Sequence, residues 1–138
     1  MDKALDFLSL ARKAGCAELG EEPAGAAARA GKAYVLLAAC DCGDHTWRRA
    51  KSFAAGTDQQ AIRVPFTKDE MGMAIGRSSL AIAAITDVSM ALALVKALPD
   101  QEKLAESITV LTQKAERQKQ RKKEAAAHKK NVRVGKKK

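Results

Sequence analysis

An α/β class fold, a three-layer α/β/α sandwich around a small mixed four-stranded sheet with a basic C-terminal tail, is what this sequence predicts. Three observations predict it. Short apolar runs alternate with helical segments as far as Leu98, the pattern of a layered α/β architecture. The run Leu80 to Ile85 is apolar at every position, which marks a strand buried on both faces and so covered by helices above and below. The charge is also segregated. Of a net +9, residues 113–138 hold 12 Lys/Arg against 2 Asp/Glu, while residues 1–112 hold 13 against 14.

Asp2 can cap a first helix in which Ala4, Leu5, Phe7, Leu8 and Ala11 form an apolar stripe, with Gly15 ending it. Cys16 to Leu19 is long enough only for a minor strand. Gly20 starts a helix through Ala30; its first turn holds Glu21, Glu22 and Pro23, and both acids and an early proline suit that end. Its body is nearly all alanine, which favours helix and close packing on a sheet. Gly31 closes it, and Tyr34 to Ala39 is a central-strand candidate.

The loop Cys40 to Asp44 precedes a helix from about His45 to Ala55, with Arg48, Arg49 and Lys51 near its solvent side. Ala61 to Val64 reads as a third main strand before Pro65. Thr67 and Glu70 then form a capping box, each able to satisfy an orphan backbone N–H. Gly76 can take positive φ and stop that helix, leaving Arg77, Ser78 and Ser79 as an exposed polar elbow. Val88 to Leu98 is the closing helix, stopped by Pro99. Asp100 can cap one more, whose Leu104, Ile108 and Leu111 share a stripe able to dock on the body. From Gln113 that stripe is gone; the segment can be helical in isolation or on a partner, but nothing suggests packing, and residues 131–138 read as disordered.

Composition excludes several classes of function. No run of about 18 apolar residues is present, so no membrane span is expected. The start has no signal-peptide pattern, and three cysteines argue for a reducing compartment, so the cytoplasm is the expected location. Cys40-x-Cys42-x-x-His45 falls short of a closed zinc set, the other Cys and His being Cys16 and His128. No metal site and no cofactor are expected. There is no P-loop, no G-x-S-x-G and no nucleophile–histidine context, so no enzyme is expected either.

Several blocks in register carry a resemblance: Leu8 to Gly15, Gly20-Glu21-Glu22, Tyr34 to Leu37, Ile62 to Pro65, and Met71 to Asp87. Over residues 3–98 the chain resembles the kink-turn-binding ribosomal-protein family, the ribosomal L-seven-Ae superfamily, and most of all its bacterial YlxQ-type members. The resemblance implies an RNA-binding domain over 1–98. A docking helix over 99–112 and a basic tail over 113–138, disordered or helical on RNA, would follow it.

In that family the helix starting at the Gly20 position enters a kink-turn's major groove through a Gly-x-Asn-Glu signature and a following Lys. Free N–H groups and partial positive charge at a helix N-terminus suit such a contact. Here Gly20 and Glu22 are present, Glu21 stands where Asn would be, and the Lys position falls on Gly25 or Ala26. A carboxylate there should weaken contact with a polyanion. Glu21 and Glu22 serve either that contact or merely their helix end. Arg29 and Lys32 lie further along and do not replace the lysine, but count among the candidate RNA-binding residues.

The second candidate is the elbow, where the resemblance implies cover over a flipped base. Ile75 would pack on the base face and Gly76 would turn the chain. Arg77 would pair with phosphate or stack, and Ser78 and Ser79 would donate to phosphate oxygens. The third is the tail, where Lys119, Arg121, Lys122, Lys123, Lys129 and Lys130 can neutralise phosphates in a salt-dependent, sequence-tolerant way. Its Gln118–Lys130 stretch has only alanines opposite the charges, too little for a membrane surface.

The expectation is a monomeric, non-enzymatic RNA-binding protein attached to ribosomal or other structured RNA in translation. Two other readings compete with it. A protein-interaction module would use the acidic Glu21-Glu22 edge for a protein partner and the tail for RNA attachment. An RNA-modifying enzyme would need a cofactor-binding segment that the sequence does not show.

Overall fold

The computed structural model describes residues 2–136, and side chains for residues 2–127. Six helices and four strands alternate: α1 (Lys3–Lys13), β1 (Ala17–Leu19), α2 (Glu21–Arg29), β2 (Val35–Ala38), α3 (Gly43–Ala54), β3 (Gln60–Arg63), α4 (Lys68–Ala74), β4 (Ile82–Ile85), α5 (Val88–Lys96) and α6 (Gln101–Lys136). The sheet order is β1-β4-β2-β3. β2 and β3 run parallel, and β4 is antiparallel to both β1 and β2.

Strand alternation divides the core into two layers. Val35, Leu37, Ala83 and Ile85 pack toward α1, α5 and α6, whereas Leu36, Ala38, Ile82 and Ala84 face α2 and α3. All eight residues of β2 and β4 are buried. The second layer is thin because α2 presents Ala24, Gly25, Ala27 and Ala28 to the sheet. Small side chains bury little area each but let a helix lie close.

Local chemistry sets the helix starts. Asp2 accepts the Ala4 N–H at 2.8 Å, Asp87 accepts the Met90 N–H at 2.9 Å, and Thr67 and Glu70 make both bonds of the capping box. Elsewhere the boundaries move. α3 begins at Gly43, two residues before the expected His45. β4 begins at Ile82 because the Leu80 N–H is spent on the Lys68 carbonyl at 2.9 Å.

The C-terminal part takes the helical form of the two expected for it, and it packs further than its apolar stripe predicts. α6 is one continuous helix of 36 residues, with no break between a docking segment and a tail. Leu111 is fully buried and Leu104 and Ile108 lie against the core. Packing also continues past Gln113: Lys114 Nζ lies 2.8 Å from Asp58 Oδ1 and 5.3 Å from the centre of the Tyr34 ring. The backbone of residues 131–136, expected disordered, is helical. Residues 137–138 lie outside the described residues.

Among the described residues no helix is long and apolar enough to cross a membrane, and no three His, Cys, Asp or Glu side chains are grouped to hold a metal ion.

Candidate nucleic-acid interface

Strand direction decides what meets at each end of the sheet. β1 and β2 finish where β4 begins, with Leu19 opposite Ala83 and Ala38 opposite Ile82. β3 finishes beside β2, Arg63 opposite Ala38. One end therefore gathers the N-terminus of α2, the loop leading into α3, the start of α4 and the elbow 76–79. The other end gathers the C-terminus of α2, the turn 31–34, Asp58 and the middle of α6.

At the elbow end, Gly20 takes φ 101 and ψ 165 while its N–H bonds to the Ile82 carbonyl at 2.9 Å. This pins the start of α2 to the first residue of β4. No side chain caps α2, so its first N–H groups point outward with the positive end of the helix dipole. The loop joins the same face. Asp41 Oδ1 accepts the Lys68 N–H at 2.8 Å, the Cys40 N–H bonds to the Phe66 carbonyl, and the Ala39 N–H bonds to the Ala81 carbonyl.

The elbow is a tightly built turn. Gly76 has φ 73, its N–H bonds to the Met73 carbonyl at 3.3 Å, and the Arg77 N–H bonds to the Gly72 carbonyl at 2.8 Å. That bond pair is a Schellman motif. The chain then folds back along α4 so closely that a Cβ on Gly72 would stand 2.6 Å from the Ser79 nitrogen. Arg77, Ser78 and Ser79 are all exposed. Among the described residues Arg77 has no carboxylate partner within ion-pair distance. The guanidinium and two hydroxyls are therefore available to an anion on a preformed backbone.

Glu21, which stands where the resembled family has Asn, is not a bare charge. Its Oε1 lies 2.5 Å from Arg49 Nε of α3. Arg49 in turn sits over the Phe53 ring at 5.7 Å. The ion pair offsets the carboxylate, so the mouth of α2 is less hostile to phosphate than the sequence implies. Of the two positions where the resembled family has lysine, Gly25 faces inward, with a Cβ there meeting the tip of the Phe53 ring at 2.8 Å. Ala26 is exposed and carries no charge.

Three candidates are displaced by the structure. Ile75 is 1% exposed and belongs to the core, so it offers no surface to a base. Arg29 and Lys32 are exposed but lie at the far end of α2 from Gly20, so they do not join the elbow face. Lys119, Arg121, Lys122 and Lys123 are exposed on α6 beyond that same far end; the side chains of Lys129 and Lys130 lie outside the described residues. The exposed candidates among the described residues thus divide between two ends of the molecule rather than forming one surface.

No protein-family model matches the sequence, and no curated protein matches it. Solved structures do match the fold. A protein of unknown function from Bacillus halodurans C superposes with a TM-score of 0.65 at 25% identity, over 70% of this chain and 97% of that one. The 15.5kD RNA binding protein of Giardia lamblia superposes with a TM-score of 0.59 at 16% identity, over 72% of this chain and 85% of its own. At such identity the second likeness establishes a shared fold.

One residue at the elbow went unread in the sequence. Met73, in the last turn of α4, is 74% exposed and is the apolar side chain the elbow end presents in place of Ile75. Helical spacing carries the signal: Met71, Ala74 and Ile75 share the inward stripe, which leaves Met73 pointing out.

Proposed function

We propose that this chain is an RNA-binding protein whose body reads a folded RNA, of the kink-turn type, at the elbow end of its sheet. The observation that carries the reading is the convergence of the uncapped α2 N-terminus and the preformed Arg77-Ser78-Ser79 turn, tied together through Gly20 and Ile82. The fold shared with an RNA-binding protein of Giardia lamblia supports it. The N–H groups of α2 and the dipole behind them would face phosphates or base edges in a distorted groove. Arg77 would make a forked contact to phosphate, and the hydroxyls would donate to neighbouring oxygens. The exposed Met73 side chain would lie against an unstacked base.

The reading makes the protein a non-enzymatic monomer acting on ribosomal or another structured RNA in translation. The cations of α6 add a charge-driven, sequence-tolerant attraction. The alternative of a protein-interaction module is weakened at its motivating feature, since Glu21 is already engaged by Arg49.

The test is binding of the full chain to a kink-turn hairpin and to one with its G·A pairs disrupted, at physiological salt with excess nonspecific RNA. A preference for the intact hairpin is expected. Arg77→Gln should cut affinity for the intact hairpin about tenfold, the worth of one charge-assisted contact. Equal binding to both hairpins would sink the kink-turn reading.

A further inference from the structure

The end of the sheet opposite the elbow carries a second surface with its own chemistry. α6 starts beside Arg63 and Pro65, crosses the free edge of β3 where Ser107 Oγ donates to Gln60 Oε1 at 2.8 Å, and reaches Asp58 and Tyr34 at Lys114. It leaves the body there. At about 1.5 Å per residue, the stretch from Gln118 to Lys136 projects roughly 27 Å further in the same direction. The cationic part of the helix therefore points away from the elbow.

Where α6 leaves the body, it and the 31–34 turn enclose an open groove of about 320 Å³ lined by Tyr34, Lys114, Arg117, Gln118 and Arg121. Its electrostatics favour an anion. Asp58 is the acid in the lining, and Lys114 occupies it; that hydrogen bond holds its carboxyl below the ordinary value, with the charges of Lys114 and Arg117 adding. Arg117 and Arg121 stand one turn apart with exposed guanidiniums, and Lys32 lies exposed on the neighbouring turn. Glu116 and Glu124 are exposed on α6 itself, and Glu124 accepts from Gln120 Nε2 at 3.2 Å. Cations still dominate along the helix, with Lys119, Lys122 and Lys123 beside them.

Geometry also limits what the groove could recognise. The Tyr34 ring is covered by Lys114 and is not free to stack on a base. What remains are forked guanidiniums and an amide, which recognise phosphate oxygens without reading sequence.

We infer that this groove and the α6 surface running from it form a second RNA-backbone site, so that one molecule holds two separate RNA segments at opposite ends of its sheet. The inference rests on the elbow reading for its first segment, and on the groove alone for its second. An anionic membrane is the other surface such charges could meet. The exposed flank of α6 from Lys119 to Ala127 offers only alanines as apolar contact, which favours RNA.

The experiment is a capture assay on the full chain. A kink-turn hairpin is immobilised, saturated with protein, washed, and offered a labelled RNA duplex that lacks the motif. Retention of the duplex only when protein is present is expected. The paired variant Arg117→Glu/Gln118→Glu should reduce duplex capture about tenfold and lower the salt slope of duplex binding by about one. Both positions lie on the outer part of α6, and circular dichroism verifies the fold. Displacement of the hairpin by the duplex would overturn the inference, as would undiminished capture by the variant. So would phosphatidylserine vesicles competing as well as unlabelled duplex does. Direct duplex binding in solution separates the two readings. Loss of it in the Glu variant, with Arg77→Gln unaffected, supports the groove even where the hairpin shows no kink-turn preference.

Discussion

Lys114 joins α6 to the body through two partners at once: its ammonium is 2.8 Å from Asp58 Oδ1 and 5.3 Å from the Tyr34 ring centre. The lysine side chain is only 16% exposed, while Asp58 is 67% exposed, so the cation–ring contact is the better shielded half. Lys114→Gln should therefore destabilise the protein by about 1 kcal/mol, most of it from the ring. The ion pair adds a pH signature. Asp58 has a lowered pKa in the folded state, so its contribution is present above the unfolded carboxylate value near 4 and is lost as pH falls through the folded value. Urea midpoints of the wild type and Asp58→Asn should differ at pH 6, and the difference should shrink as pH is lowered below about 4. A constant difference across that range would refute the linkage.

The turn that rims the second groove depends on one buried amide. Gln59 is 5% exposed, its Nε2 donates to the Ala28 carbonyl at 3.1 Å, and its Oε1 accepts the Ala33 N–H at 3.1 Å. It ties the end of α2 to the start of β2 across the head of β3. Gln59→Leu keeps the volume roughly but strands both backbone groups. A loss of about 1–3 kcal/mol is expected from the unpaired carbonyl and N–H. Equilibrium denaturation gives the size, and faster hydrogen exchange at the Ala33 amide locates it. Protection unchanged at Ala33 would mean water replaces the side chain.

How much of this was legible depends on the kind of signal. The strands were plain in the apolar runs around Val35–Ala38 and Ile82–Ile85, since burial on both faces needs no partner to be recognised. The Thr67–Glu70 capping box and the Gly76 stop were local and readable for the same reason. Ile75 was misread because the elbow was treated as a turn from its first residue, when the stripe of α4 runs one position into it. The Glu21–Arg49 pair joins two helices across the sheet face, and no local pattern announces a contact between distant segments. The docking of α6 was underestimated because its apolar stripe ends at Leu111, while Lys114 packs by laying its stem and ammonium across a tyrosine.

Glu21 gives a direct test of whether charge at the mouth of α2 limits RNA binding. Its partner Arg49 is 48% exposed and Glu21 is 41% exposed. Breaking such a pair costs little, less than about 1 kcal/mol. Glu21→Asn should leave thermal stability nearly unchanged. It removes one negative charge, restores an amide that both donates and accepts, and frees Arg49 for phosphate. Affinity for a kink-turn hairpin should rise about threefold to tenfold, with a steeper salt dependence from the freed arginine. Titrations at two salt concentrations decide it. Weaker binding in the variant would mean that the Glu21–Arg49 pair itself positions the helix end for RNA.

Gly72 sets intrinsic propensity against close approach. It lies inside α4, where replacing glycine by alanine ordinarily stabilises a helix by about 0.5–1 kcal/mol. Here the added Cβ would stand 2.6 Å from the Ser79 nitrogen, 2.7 Å from its Cα and 2.9 Å from the Arg77 carbonyl oxygen. All three are backbone atoms, so no side chain can swing aside. The elbow must lift from α4 or the helix must shift, and overpacking of this kind costs about 1–3 kcal/mol. Gly72→Ala should therefore lower stability despite its helix propensity. It should also weaken hairpin binding more than its stability loss explains, because Arg77, Ser78 and Ser79 move together. Gly25→Ala is the control. There the obstructing atom is the tip of the Phe53 ring, which can turn away, so a smaller change in stability and none in hairpin binding are expected. Equal effects of the two alanines on binding would mean that the elbow's placement against α4 does not govern RNA recognition.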